Sequence, residues 1–403
     1  MKDQRSSFDK MALTICITGS VWLSGADGVQ ASQPIVVQNA TNHVQSQAPK
    51  LPTNENATAH QKSIEALVNQ IVKEPGIPGM IVQSTRNGQK WSYAAGEANI
   101  EDKSKMRPDF HFRIGSVSKM FVATVVLQLA EEKKLSLDDS VEKWLPGVLN
   151  SSGFDGNKIK IRHLLNHTSG IPDSVDQSFL DMLIHNPKMK FTLEEELKVA
   201  LSKKPLFAPG TDVEYANTNT ILAGMIILKA TGKSYEEQIK ERIIVPLKLT
   251  GTSLPGSSTL IPVPHARGYF NDLGEGLKDY TNMNLAWAGG PAGDIISTTD
   301  DLNTFIGALL GGKLLKPEML DQMLTGTPYE DGGYGLNNVG LGIFEYKLAN
   351  GTSVWGHGGG VPGSNTLVVG TVGGEHVISM NVNVLDRKVL DRFYKLIEKE
   401  FQQ

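Results

Sequence analysis

The sequence predicts an α/β protein of the α+β kind, an antiparallel sheet flanked by helices with a mostly helical second lobe. Three observations carry this. A helical stripe and two extended runs stand near the start of the chain, several turn-linked extended runs and a closing helix stand at its end, and the segment between is rich in helices. Strands and helices from both ends can close one layered α/β body only if the middle forms a separate lobe beside it, and a cleft between lobes is the natural place for a site.

The elements follow in chain order. Residues 1–31 carry Lys2, Arg5 and Lys10, then the apolar run MALTICITGSVWL, then Val29-Gln30-Ala31 ahead of Ser32. This is the pattern of an export signal, and the apolar run is too short for a membrane span in the mature chain. The expected destination is outside the cytoplasm, secreted or in the cell envelope (periplasm). The single cysteine, Cys16, falls inside the signal, so cleavage would leave no thiol for catalysis, disulfides or metal binding. Residues 32–59 are rich in Asn, Gln, Thr and Pro without sustained periodicity, which reads as a flexible spacer.

Residues 60–403 form the expected folded domain, with an α/β lobe over 60–115 and 292–403 and a helical lobe over 116–291. Ile64, Leu67, Val68 and Ile71 recur at i, i+3, i+4 and i+7, one buried helical stripe ending near Pro75. Two extended runs then flank Asn87-Gly88, a pair suited to a two-residue hairpin turn. MFVATVVLQLAEEKK is apolar on nearly every face, as a helix buried within a domain must be. TLEEELKVALSK and TILAGMIILKATG give further helices between Pro- and Gly-rich loops. After the capped helix STTDDLNTFIGALL come GLGIFEYKL, a turn at Asn350-Gly351, TSVWGH, NTLVVGTV, a turn at Gly373-Gly374, EHVISMNVN, and a final amphipathic helix using Leu390, Phe393, Ile397 and Phe401.

Composition narrows the function. The chain has 403 residues, 40% apolar and 20% charged, with a formal charge of −4 and no basic run interleaved with aromatics, so nucleic acid is not an expected partner. Gly358 to Gly363 match G-x-G-x-x-G, yet the fingerprint must open a helix, and here a strand-like run follows. His163 and His167 share a helical face in HLLNH, but no third ligand is visible beyond Asp173 as a candidate, and histidines buried at a helix-to-loop junction explain that pattern without a metal.

Ser116 and Lys119, in SVSK at the head of the buried helix, place a hydroxyl and an amine on one face. Serine becomes a nucleophile when a base takes its proton, and burial can lower a lysine pKa until the amine serves. The Ser116 N–H at the helix start can stabilise an oxyanion. S-x-x-K alone is weak, since Ser7 and Lys10 also match it, and Tyr-x-Asn occurs three times. Only Tyr215-Ala216-Asn217 follows a Pro-Gly turn at the head of an apolar helix.

Together FRIGSVSK, HLLNHTSGIPD, FAPGTDVEYANTNT and GHGGGVPG resemble the serine β-lactamase and DD-peptidase family, with its D-alanyl-D-alanine carboxypeptidases, D-aminopeptidases and class C β-lactamases. The resemblance covers most of residues 60–400 and implies the β-lactamase/transpeptidase-like fold with no metal or organic cofactor. It implies Ser116 as acyl-enzyme nucleophile, Lys119 as its proton partner and Tyr215 as the proton-exchanging tyrosine. Asn217 then holds the acyl-side carbonyl, and His357-Gly358-Gly359 takes the third-motif position on a sheet edge. The Gly360 N–H joins that of Ser116 in the oxyanion hole, and Trp287 resembles a cleft-wall aromatic.

One departure bears on substrate. The third motif in the family is often Lys-Thr-Gly or His-Thr-Gly, whose cation and hydroxyl meet a carboxylate, whereas here Gly358 has no hydroxyl. The expectation is an exported hydrolase of a small peptide, amide, ester or β-lactam, foremost a D-Ala-D-Ala carboxypeptidase or D-stereospecific peptidase. A promiscuous esterase and a class C-like β-lactamase come next. A penicillin-binding sensor module without turnover is the rival from another class.

Overall fold

The molecule is represented by a computed structural model, which describes residues 58–150, 153–176, 182, 186, 192–271, 276–283, 290–329 and 335–402. The expected export signal, nearly all of the spacer, and Trp287 lie outside the described residues. Its principal helices are α1 (Ala59–Ile71), α2 (Ser118–Glu131), α3 (Leu193–Leu201), α4 (Asn217–Thr231), α5 (Thr299–Leu310) and α6 (Lys388–Glu400). The strands used below are β1 (Gly79–Arg86), β2 (Gln89–Gly96), β3 (Phe112–Arg113), β4 (Ile296–Ser297), β5 (Thr327–Pro328), β6 (Leu336–Val339), β7 (Phe344–Lys347), β8 (Ser353–Val361), β9 (Ser364–Gly370) and β10 (His376–Val382).

Local chemistry sets where these elements begin and end. The Thr58 hydroxyl accepts from Gln61 N while the Gln61 side chain accepts from Thr58 N, a reciprocal cap that starts α1 one residue before the expected domain boundary. Asn87 and Gly88 both take positive φ, 50° and 79°, and close the β1–β2 hairpin as a tight turn. The Asn350-Gly351 turn is wider: Lys347 pairs with Ser353, and the loop between is closed by Leu348 N donating to Thr352 O. Gly232, at φ 73°, ends α4 in the left-handed conformation that glycine adopts without steric cost.

The strands form an eight-stranded sheet in the order β2-β1-β10-β9-β8-β7-β6-β5 with antiparallel neighbours, so the N-terminal hairpin joins the C-terminal strands edge to edge. On one face Met80, Val82, Leu367, Val369, Ile378 and Met380 meet α1 and α6 through Ile64, Val68, Phe393 and Ile397. On the other, Ile81, Val368 and Val377 join a second cluster with α2 and α5. Both faces are covered, which is why β9 is buried throughout, its Leu367-Val368-Val369 run apolar without alternation and its Ser364, Asn365 and Thr366 polar but buried. Helix α2 is buried on nearly every side, in agreement with its composition. Among the described residues no helix is long and apolar enough to cross a membrane.

Candidate active site

Ser116 lies in a single 3-10 turn, Gly115–Val117, placed between β3 and α2. The turn is held from several sides. Ile114 N donates to Ile295 O at 3.0 Å, Ile295 N donates to the Ser118 hydroxyl at 3.3 Å, and the Ser364 hydroxyl donates to Arg113 O at 2.7 Å. Gly115 has φ +52°, and a Cβ there would stand 2.9 Å from Gly360 N, so glycine answers both the backbone conformation and the close approach of β8.

Strand β8 is interior over its first half and exposes one side over its second. Its register with β7 ends at Gly356, whereas pairing with β9 runs on to Val361. The expected sheet edge is therefore confined to His357–Val361, and there the serine turn takes the place of a neighbouring strand. A Cβ on Gly359 would lie 2.0 Å from Ile114 O and 2.8 Å from Ser116 N, which puts the Gly359-Gly360 backbone directly beside Ser116.

Lys119 is buried on the first turn of α2, 2% exposed, and its Nζ lies 3.0 Å from Ser116 Oγ, 2.7 Å from Asn217 Oδ1 and 2.9 Å from Ala292 O. Burial pushes its pKa down from 10.5 to about 7, against the opposing pull of Asp173 and Glu196. The Tyr215 ring stands beneath the amine at 4.9 Å. Burial drives the Tyr215 pKa upward. Ser116 is near enough to moderate that rise, yet the phenol makes no hydrogen bond of ordinary geometry among the described residues.

Asn217 opens α4. Its N–H and Nδ2 donate to the two oxygens of Asp173 at 3.0 and 3.1 Å while its Oδ1 faces Lys119. Burial raises the Asp173 pKa to about 6, in spite of the backbone N–H of Val175 and the charge of Lys119. His357 sits in the wall, with Nδ1 against Gly358 O and Nε2 without a partner among the described residues. Burial, then the Lys119 charge, push its pKa down to about 3, so this ring is neutral.

The structure thus gathers Ser116, Lys119, Tyr215, Asn217, His357, Gly358, Gly359 and Gly360 into one place from three stretches of chain. His163 and His167 have other work. His163 Nδ1 accepts from Lys160 N at the start of the short helix Ile161–Leu165. His167 Nδ1 accepts from Ala216 N and Asn219 Nδ2, both at 3.2 Å, and its ring stacks on Tyr215 at 4.4 Å between centroids. Among the described residues no group of three or more His, Cys, Asp or Glu is placed to hold a metal. Sequence reasoning missed the carbonyl of Ala292, the support of Tyr215 by His167, and Asp173 as the partner of Asn217.

The family model for β-lactamases matches residues 64–397. The chain belongs to the β-lactamase family. It is 27% identical over 327 residues to penicillin-binding protein 4* of Bacillus subtilis (strain 168), covering 77% of this chain and 68% of that protein. Among solved structures, a D-stereospecific amidohydrolase from Streptomyces sp. is 37% identical with a TM-score of 0.77, covering 84% of this chain and 98% of the other. The D-amino acid amidase of Ochrobactrum anthropi SV3, solved with L-phenylalanine amide, is 25% identical with a TM-score of 0.74 and the same two coverages. This β-lactamase-family chain therefore has the fold of serine hydrolases that include D-stereospecific amidases and penicillin-binding proteins.

Proposed function

We propose that this protein is a D-stereospecific amidohydrolase working through an acyl-enzyme on Ser116. The observation that carries the proposal is the set of contacts around Lys119. An unprotonated amine has two N–H donors and one lone pair. Asn217 Oδ1 and Ala292 O can only accept, so they take both donors, and the lone pair is left for the Ser116 hydroxyl at 3.0 Å. With its pKa near 7, the amine is available at neutral pH, whereas Tyr215 stays a protonated phenol. Lys119 is the base and Tyr215 a neutral relay.

In the forward step Ser116 Oγ bonds to the substrate carbonyl carbon and its proton passes to Lys119. The oxyanion is met by the N–H groups of Ser116 and Gly360. The C–N bond then breaks, with the proton delivered through Tyr215 to the departing nitrogen. Water reverses the sequence on the ester, releasing the acid and restoring Ser116. The second Nδ2 hydrogen of Asn217, the one not given to Asp173, serves the acyl-side carbonyl.

Substrate choice follows from the third motif. A neutral His357 beside a glycine offers no cation and no hydroxyl to a terminal carboxylate, which favours amides whose leaving group carries none. The names of the two amide-hydrolysing relatives agree with that preference. Turnover should be compared on D-amino acid amides, D-Ala-D-Ala peptides, nitrophenyl esters and nitrocefin. Amides should lead the D-Ala-D-Ala peptides in kcat/KM by at least about tenfold, and Ser116→Ala should lose about a thousandfold or more. Leadership by D-Ala-D-Ala peptides or nitrocefin would replace the amidase reading with a carboxypeptidase or a β-lactamase. Wild-type rates in the Ser116 variant would remove the mechanism. Rapid acylation by a fluorescent penicillin with no turnover of any of these substrates would point to the sensor module.

Export belongs to the same proposal, resting on the charged start, apolar run and Ala31-Ser32 junction. The protein recovered outside the cytoplasm should begin at Ser32 on N-terminal sequencing. An uncleaved chain confined to the cytoplasm would oppose it.

A further inference from the structure

We infer that Asp173 is a positioning residue for the acyl-transfer site, clamping the Asn217 amide so that its oxygen faces Lys119 and the Lys119 lone pair faces Ser116. The inference rests on the reading of Ser116 as nucleophile and Lys119 as base. Its foundation is the two-ended chemistry of a carboxamide. Asn217 Nδ2 can only donate and Oδ1 can only accept, so which end meets Lys119 depends on what holds the other end. Asp173 holds it. One carboxylate oxygen accepts from Asn217 Nδ2 at 3.1 Å, and the other accepts from Asn217 N at 3.0 Å and Val175 N at 3.2 Å.

A flipped Asn217 would set its Oδ1 against the Asp173 carboxylate, acceptor against acceptor, and its NH2 against the amine, and the Lys119 N–H that now goes to Oδ1 would be free to turn toward Ser116. The amine would then offer the serine a donor where it needs a lone pair. Asp173 itself is fixed through its backbone, because its carbonyl accepts from Lys203 Nζ at 2.8 Å and its loop is tied to α4 by Ser174 N donating to the Thr218 hydroxyl at 3.0 Å.

Asp173 also acts on Lys119 by charge. The groups that face the amine are Asp173 from the 166–176 loop, Glu196 from α3, and the rings of His167, Tyr215 and His357, the two histidines being neutral. The two acids hold the proton on Lys119, so removing one lets it leave at lower pH.

The test is one double-mutant cycle and one charge-keeping variant on the full chain with a D-amino acid amide. Asp173→Asn should lower kcat about tenfold with KM little changed and move the acid limb of kcat/KM to lower pH by about half a unit or more. In an Asn217→Ala background the same change should lower kcat little further, because the positioning runs through Asn217, while the acid limb should still move, because the charge acts on Lys119 directly. Asp173→Glu, which keeps the charge, should leave the acid limb near its wild-type position while still lowering kcat, and it serves also if Asp173→Asn does not fold. Equal losses with and without Asn217, an unmoved acid limb in Asp173→Asn, or wild-type kcat in Asp173→Glu would each overturn the inference. Failure of the underlying reading looks different: no covalent adduct would form on Ser116 in the wild-type protein.

Discussion

Gly358 differs from Gly356 and Gly359 of β8 in what a side chain there would meet. A Cβ on Gly356 would stand 1.9 Å from Val368 O and one on Gly359 2.0 Å from Ile114 O, so both are required by backbone approach. At Gly358 the nearest atoms, Leu367 Cδ1 and Thr366 O, are 3.8 Å away and the Tyr346 hydroxyl 4.0 Å, which is ordinary contact. Space does not demand this glycine, so its absence of a side chain bears on what the site binds. Gly358→Thr should fold with stability changed by less than about 1 kcal/mol, the β-branched residue suiting a strand. One new hydrogen bond of about 0.5–1.5 kcal/mol should raise the ratio of D-Ala-D-Ala peptide to D-amide turnover by about two- to thirteenfold. Parallel kcat/KM measurements on the two substrates read that ratio, and an unchanged ratio would show that Gly358 does not govern carboxylate recognition.

At the scale of elements, the residues that bury one stripe were legible and those that meet across the chain were not. Ile64, Val68 and Ile71 announce α1 by spacing, and Asn87-Gly88 announces its hairpin by the positive φ both residues must adopt. The final helix was legible too, although its buried side centres on Val389, Phe393, Leu396 and Ile397, with Leu390 only half-buried. The serine and the lysine share one helical turn, so a local rule finds them. No such rule joins Asp173 to Asn217 or Ala292 to Lys119, because those contacts exist only once α4 and the loop before β4 pack against α2. His167 shows the same limit: periodicity places it with His163 on one helix face, but the helix ends at Leu165, and at φ 58° His167 turns to Tyr215.

Across the whole molecule, the two ends of the domain are joined through one buried carboxylate. Glu400 on α6, 3% exposed, accepts from His376 Nε2 of β10 at 2.8 Å and His60 Nε2 of α1 at 3.0 Å, and from the Ser84 hydroxyl of β1. Desolvation pushes its pKa up, but the hydrogen bonds from His376, Ser84 and His60 outweigh that and hold it below the usual value of 4.5. A lowered carboxyl pKa means the unfolded chain binds the proton more readily. The stabilisation is therefore present above the unfolded pKa and is lost as pH falls through the folded one. Glu400→Gln keeps the shape and one acceptor but removes the charge, so it should cost about 1–3 kcal/mol at pH 7. That cost should shrink as the pH is taken below about 4.5, where the unfolded chain takes up the proton, until the folded carboxylate is neutralised as well. Urea melts of both proteins at pH 7 and pH 3.5 measure the difference. A penalty of equal size at the two pH values would mean that packing at α6, and not the charge of Glu400, is what joins α1 and the sheet.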